Sequence, residues 1–221
     1  MRRDPNFLSN VWFSEEAYFL WSGHVNSKNN VIWGSSSSVE VLERLLHSQK
    51  CTAWVAISKS SIIGPFWFKD EGKLVTVTTE RDLKVIHKFW VALARKRHIE
   101  RAVQWFQQDG ALPHTYNRLI KWLQQKFSDW FISRRTDVER APHSPDLNTP
   151  DFYLWGYWKD VVYQGRPQAI DDLKNAIATN IKAIPVQECS WVIDFTRRIH
   201  LCLLQQGSHL EHVLWTIFWN H

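Results

Sequence analysis

Three carboxylates stand out in this chain by placement rather than by number: Glu15, Asp109 and Asp151. Glu15 lies in the run VWFSEEAYF (11–19), whose neighbours are nearly all apolar. On a two-residue period it shares a face with Phe13 and Ala17, while Glu16 points the other way. Asp109 ends the short apolar run AVQWFQQ, immediately before Gly110 and Pro113 break the chain. Asp151 opens a helical pattern just after a proline-rich stretch. Carboxylates that converge from distant parts of a chain are what a divalent-metal site requires. Mg²⁺ is a hard ion that takes oxygen ligands and keeps several waters beside one or two carboxylates. Two such ions roughly 4 Å apart hold both the attacking and the leaving oxygen of a phosphoryl transfer. Each residue also has an ordinary explanation. Asp151 suits the first turn of a helix through the macrodipole, Asp109 suits an Asp-Gly turn, and Glu15 suits a strand carboxylate paired with an arginine.

The elements that must carry these groups are legible in outline. The first half reads as strands: NVWFSEEAYFLW (10–21), NNVIWG (29–34), CTAWVAIS (51–58) and IIGPFWF (62–68), the last two joined as a hairpin through Lys59, Ser60 and Ser61. GSSSS (34–38) reads as a loop. The period then changes. Thr79 followed by Asp82 resembles a capping box, and Leu83, Ile86, Phe89, Trp90, Leu93 and Ala94 fall at helical spacing up to the basic cluster RKRH (95–98). AVQWFQQ (102–108) reads as a buried strand. A second helix follows with Leu119, Trp122 and Leu123 as its stripe, then a strand at DWFIS (129–133). RRTDVERAPHSPDLNTP (134–150) is loop. Helices are expected from Asp151 to about Tyr163, with Trp155, Trp158 and Val162 on one face, and from Ile170 to Ile184, stopping at Pro185. The rest, to about Leu204 and again over 209–218, reads as helical. Strands, helix, strand, helix, strand and then helices make a mixed sheet with helices packed on it.

At 221 residues the chain is long enough for one well-buried domain. Its 44% of hydrophobic and 22% of charged residues are ordinary globular usage. The exception is 14 tryptophans. They read as core and surface filler, or as base-stacking platforms, and nothing in the sequence gathers them on one face. A net charge of +5 permits a polyanionic partner. The three cysteines, Cys51, Cys189 and Cys202, are widely spaced in apolar surroundings and make no disulfide framework, which favours a reducing compartment. No run approaches 18 apolar residues and the first residues lack a signal-peptide core, so a soluble protein with no membrane partner is expected.

Read together, FQQDGALPH (106–114) and SPDLNTPDFYLWGYWKD (144–160) closely resemble the catalytic domain of mariner-superfamily transposases. VWFSEEAYF (11–19), IIGPFWF (62–68) and HLEHV (209–213) fit the same family. The resemblance runs over essentially the whole chain. It implies an α/β, ribonuclease-H-like fold: a mixed sheet flanked by helices, one domain over residues 1–221, with the last helices from about 170 as a C-terminal extension. It also implies a D-D-D or D-D-E triad that binds Mg²⁺ or Mn²⁺, two ions in the active state, and that cuts and joins DNA. Carried over by motif, the catalytic and metal-ligating residues are Glu15, Asp109 and Asp151, with 41 residues between the last two. Asp146 belongs to the motif without being a ligand. His114, close behind the second aspartate, is expected either against substrate or in the first turn of the next helix.

Two departures from the family pattern bear on function. The family's first carboxylate is an aspartate in a string like FSDEA, and here the string is FSEEA, with Glu15 in the aspartate's place. Family members also carry N-terminal helix-turn-helix domains that bind the transposon ends. This chain starts about ten residues before the first catalytic strand, so those domains, and with them much of any homodimer contact, are expected to be missing. A smaller departure is Thr149-Pro150, where the family tends to place proline one position earlier. Three functions are then open. One is metal-dependent DNA cleavage and strand transfer, impaired by Glu15. Another is a non-catalytic DNA-binding remnant using Arg95, Lys96, Arg97, Lys121, Arg134 and Arg135. The last is a decayed copy acting, if at all, through protein contacts. A transposase-derived protein that works on DNA is expected in the nucleus.

Overall fold

The computed structural model describes residues 7–21, 49–70, 73–75, 77–109, 111–133, 155–192, 200 and 203–204. Its centre is a five-stranded sheet built from β1 (Val11–Leu20), β2 (Lys50–Ser58), β3 (Ser61–Trp67), β6 (Trp105–Gln107) and β7 (Phe131–Ile132), in the order β3-β2-β1-β6-β7. β1, β2 and β3 are antiparallel neighbours, while β6 runs parallel to both β1 and β7. A separate two-stranded ribbon pairs β4 (Lys69–Asp70) with β5 (Lys73–Leu74). This is the mixed sheet that the order of elements leads one to expect.

Both faces of the sheet are covered, which is why β1 and β2 read as nearly unbroken apolar runs. Val11, Phe13, Ala17 and Phe19 of β1 face α3 (Trp155–Gln164), α4 (Ile170–Ala183) and α5 (Val186–Val192), meeting Val162, Leu173, Ile177, Ile181 and Cys189. Trp12 of β1 and Trp54 of β2 face α1 (Thr79–Ala94) and α2 (Asn117–Phe127), meeting Ile86, Phe89, Leu119 and Leu123. The alternation along β1 therefore decides which helical layer each side chain meets. The Tyr163 hydroxyl donates to Leu20 O at 2.7 Å, tying the end of α3 to the end of β1. Burial pushes the Cys51 thiol up to about 12, so this cysteine is core filler and no nucleophile. Of the tryptophans described with their side chains, Trp12 and Trp54 are fully buried, and Trp67, Trp90, Trp105 and Trp122 are packed against the cores.

Three boundaries differ from expectation, each for a local reason. The cap of α1 is Thr78 rather than Thr79: Thr78 keeps extended backbone and its hydroxyl accepts from Arg81 N. Asp82 is thereby freed from capping and turned into the core. β6 covers only Trp105–Gln107 of the expected 102–108. β1 begins at Val11, opposite Trp105, so the residues before Trp105 have no strand to pair with, and Arg101–Val103 coil into a 3-10 turn. Gln104 is held there by its side chain, which accepts from Trp12 Nε1 at 2.9 Å and donates to Glu100 O at 3.0 Å. β7 is correspondingly limited to two residues opposite Phe106 and Gln107. The expected strand at 29–34, the loops at 34–38 and 134–150 and the helix at 209–218 lie outside the described residues.

Gly64 in β3 has φ +126°, and a Cβ there would stand 2.8 Å from Trp54 O and 3.2 Å from Val55 Cα. Both atoms belong to the backbone of β2, which cannot move aside as a side chain would. Gly64→Ala is expected to cost about 2 kcal/mol, the scale of a non-glycine residue in such a conformation. Urea unfolding of the two chains side by side measures it, and an unchanged midpoint would contradict the close approach.

Candidate active site

The parallel ladder between β1 and β6 sets the geometry. Its pairs are Val11 with Trp105, Trp12 with Phe106 and Phe13 with Gln107. The ladder stops there; Glu15 is two residues further along β1, and Asp109 two residues past the end of β6. Glu15 is in mid-strand opposite Val55 of β2, 8% exposed, on the face covered by α3 and α4. Asp109 follows the end of β6 and its side chain is 29% exposed. The two carboxylates that the family resemblance selected thus come from β1 and from the segment that follows its parallel neighbour β6. Asp151, the expected third, lies outside the described residues, as do Arg134 and Arg135; α3 is described from Trp155.

The turn after Asp109 is built around that residue. Ala111 N donates to Asp109 Oδ1 at 3.0 Å, closing an Asx-type turn. The chain then forms a 3-10 turn, Leu112–Thr115, before α2 starts at Asn117. Gln108 is buried and clamps this turn from beneath, its amide nitrogen donating to His114 O and to Ser133 Oγ, both at 3.1 Å. Gln107 O accepts from Ser14 Oγ at 3.0 Å, so both glutamines in QQD serve to fix the strand end.

His114 is not in the first turn of the next helix. It belongs to the 3-10 turn before it and is buried. Its Nδ1 is 2.9 Å from Asp109 Oδ1, and its Nε2 is 3.6 Å from both Glu16 Oε1 and Asp82 Oδ2. Burial by itself would lower the imidazole pKa. The carboxylates of Glu16, Asp109 and Asp82 outweigh it and push the group up to about 10. Burial also pushes Asp82 up to about 6, against the pull of His114. Sequence reasoning passed over Glu16 and Asp82. Asp82 did carry a signal, since it stands at helical spacing from Val85, Ile86, Phe89 and Leu93 on the buried face of α1, where an aspartate is out of place.

The basic residues fall in different places. Arg95, Lys96 and Arg97 follow the last turn of α1, roughly 20 Å along the helix from Asp82 at 1.5 Å per residue. Lys96 Nζ donates to Ser61 Oγ at 2.6 Å, which fixes it to the β2–β3 hairpin. Lys121 is exposed on α2. A group not singled out from sequence lines a cleft of about 450 Å³ beside α1: Arg81, Lys84, His87 and Lys88, with Trp67 and Trp122.

No protein-family model and no curated protein sequence matches the chain significantly. Solved structures do. The catalytic domain of Mos1 mariner transposase superposes with a TM-score of 0.68 at 19% identity, covering 92% of this chain and 85% of that one. A pre-cleavage Mos1 transpososome gives 0.72 at 18% identity, and a Mos1 paired-end complex with Mn gives 0.71 at 19%. These two matches cover 92% and 91% of this chain, which spans 57% of the Mos1 chain in each. The fold is therefore that of the mariner transposase catalytic domain, the ribonuclease-H-like sheet with flanking helices that the motifs implied.

Proposed function

We propose that this chain is a mariner-type transposase catalytic domain whose chemistry is metal-dependent cleavage and joining of DNA, weakened by glutamate at the first acidic position. What supports the proposal is the parallel pairing of β1 with β6 in this fold, with Glu15 inside β1 and Asp109 just after the end of β6. An all-oxygen donor pair, with Asp109 still partly open to solvent, suits a hard divalent cation such as Mg²⁺ or Mn²⁺. Glu15, Asp109 and Asp151 would hold the ions, which supply charge stabilisation for attack on a phosphodiester and for departure of its leaving oxygen. The chain's own part is positional. β1 and the turn after β6 carry two carboxylates from distant parts of the sequence. Ala111 N and His114 hold the Asp109 carboxylate in one orientation.

DNA is the proposed partner, with a nuclear location and a homodimer as corollaries; the neighbouring Mos1 structures include paired-end and pre-cleavage assemblies. Lys121, Arg134, Arg135 and the Arg95–Arg97 cluster remain candidate phosphate contacts. The cleft with Arg81, Lys84, His87 and Lys88 joins them, because its aromatic walls suit bases and its cations suit phosphates.

Nicking of supercoiled plasmid in Mg²⁺ and in Mn²⁺ tests the proposal. Slow nicking that Asp109→Ala abolishes is the expected result. The substitution at Glu15 favours one second reading, a DNA-binding remnant without catalysis. That reading predicts binding that weakens steeply with salt, loses affinity and salt slope in Lys84→Glu/Lys88→Glu, and comes with no nicking. A chain that neither nicks nor binds contradicts both.

A further inference from the structure

We propose that Glu16, Asp82 and His114 form a second divalent-cation site, of the Zn²⁺ class, distinct from the Glu15, Asp109 and Asp151 acids. The three side chains come from three elements: β1, the start of α1 and the 3-10 turn after β6. Their ligand atoms all lie within 4.8 Å of one another, and His114 Nε2 is 3.6 Å from each carboxylate oxygen facing it. Tetrahedral Zn²⁺ with bonds of about 2.0–2.2 Å places neighbouring donors about 3.4 Å apart. Both imidazole–carboxylate separations are thus within a few tenths of an ångström of that spacing, the carboxylate pair would close in by up to about 1.4 Å on binding, and a fourth position is left for water.

Asp82 supplies the independent argument for a ligand. It is 0% exposed, neither of its carboxylate oxygens has a hydrogen-bond partner, and Oδ2 is turned toward the imidazole. A carboxylate taken out of water without hydrogen bonds is costly unless a cation compensates it. The His114 imidazolium offers one positive charge against two enclosed carboxylates, which leaves the trio negative. A dication with neutral imidazole balances it. The remaining ring nitrogen, Nδ1, is 2.9 Å from a carboxylate oxygen, Asp109 Oδ1, off the line of a hydrogen bond but next to the kind of group that a metal-bound histidine takes as its outer partner. One imidazole among the donors selects a d-block ion over Mg²⁺. Asp109 then serves twice, as an acid of the candidate active site and as outer support for this one. The bound ion locks the turn that aims it.

The test uses the whole chain, stripped of metal and kept in excess Mg²⁺ so that the hard-ion site is filled, with Co²⁺ as the spectroscopic probe. The expected result is one equivalent of four-coordinate Co²⁺, seen by its visible ligand-field bands and displaced by Zn²⁺. Asp82→Asn should lower that affinity by more than about 100-fold, since loss of a mere outer-shell partner already costs 10- to 100-fold. Asp151→Asn should leave the bands in place. The proposal is overturned if the unsubstituted chain takes up no such Co²⁺, if the bands survive in folded Asp82→Asn, or if they vanish in Asp151→Asn. Because the readout is binding rather than cleavage, a chain that never nicks DNA still decides it.

Discussion

Glu15→Asp is expected to raise the rate of metal-dependent plasmid nicking about 100-fold over the unsubstituted chain, the scale of effect that a misplacement of about 1 Å produces. The reasoning is steric. Glu15 is in the middle of β1, paired with Val55 of β2, and β6 holds the same strand up to the Phe13–Gln107 pair. That pairing keeps the backbone from retreating to absorb an extra methylene. The carboxylate is therefore carried about 1 Å beyond where an aspartate would hold it, while Asp109 is fixed by its own turn. Single-turnover nicking of the two chains in the same metal measures the difference, and Glu15→Asp combined with Asp109→Ala should return to background. Equal rates in the two single chains would show that the glutamate is already well placed. An inert but folded Glu15→Asp would show that the fold has outlived its chemistry.

The largest expected loss of stability is at Phe89. Its ring is fully buried between the sheet and α1, with centroids 5.4 Å from Trp12, 5.5 Å from Trp54 and 5.5 Å from Phe106. Phe89→Ala removes all three contacts and leaves a cavity that rigid indoles cannot fill, at about 4 kcal/mol. Set against a whole-domain stability of roughly 5–15 kcal/mol, that leaves the chain near its threshold. On the same helix Val91 is 37% exposed, and Val91→Ala should change stability by less than about 0.5 kcal/mol. Urea midpoints for the pair provide the check. A small effect at Phe89 would mean that the aromatic cluster repacks, contrary to the dense core described above.

The pattern of apolar residues is enough to place β1, β2, β3, α1 and α4 close to their observed bounds, and to mark α2 by its stripe, because in each the burial period is strong and local. It is not enough for β6. Whether residues 102–104 pair depends on where β1 begins, more than ninety positions away, and no local signal reports that. The basic cluster RKRH shows the same limit, since only the course of α1 carries it away from the acidic end of the sheet.

The site divides along the same line. Residue types, motif strings and their order single out Glu15 and Asp109 as candidate metal-binding acids. The pairing of β1 with the strand that precedes Asp109, and the gathering of Glu16, Asp82 and His114 around one another, are visible only in the tertiary structure. A one-residue alternation along β1 sends Glu15 toward α3 and α4 and Glu16 toward α1 and α2, where the first turn of α1 meets the turn after β6. The sequence holds each of those residues separately; the charge they share exists only once packing has taken the water away from between them.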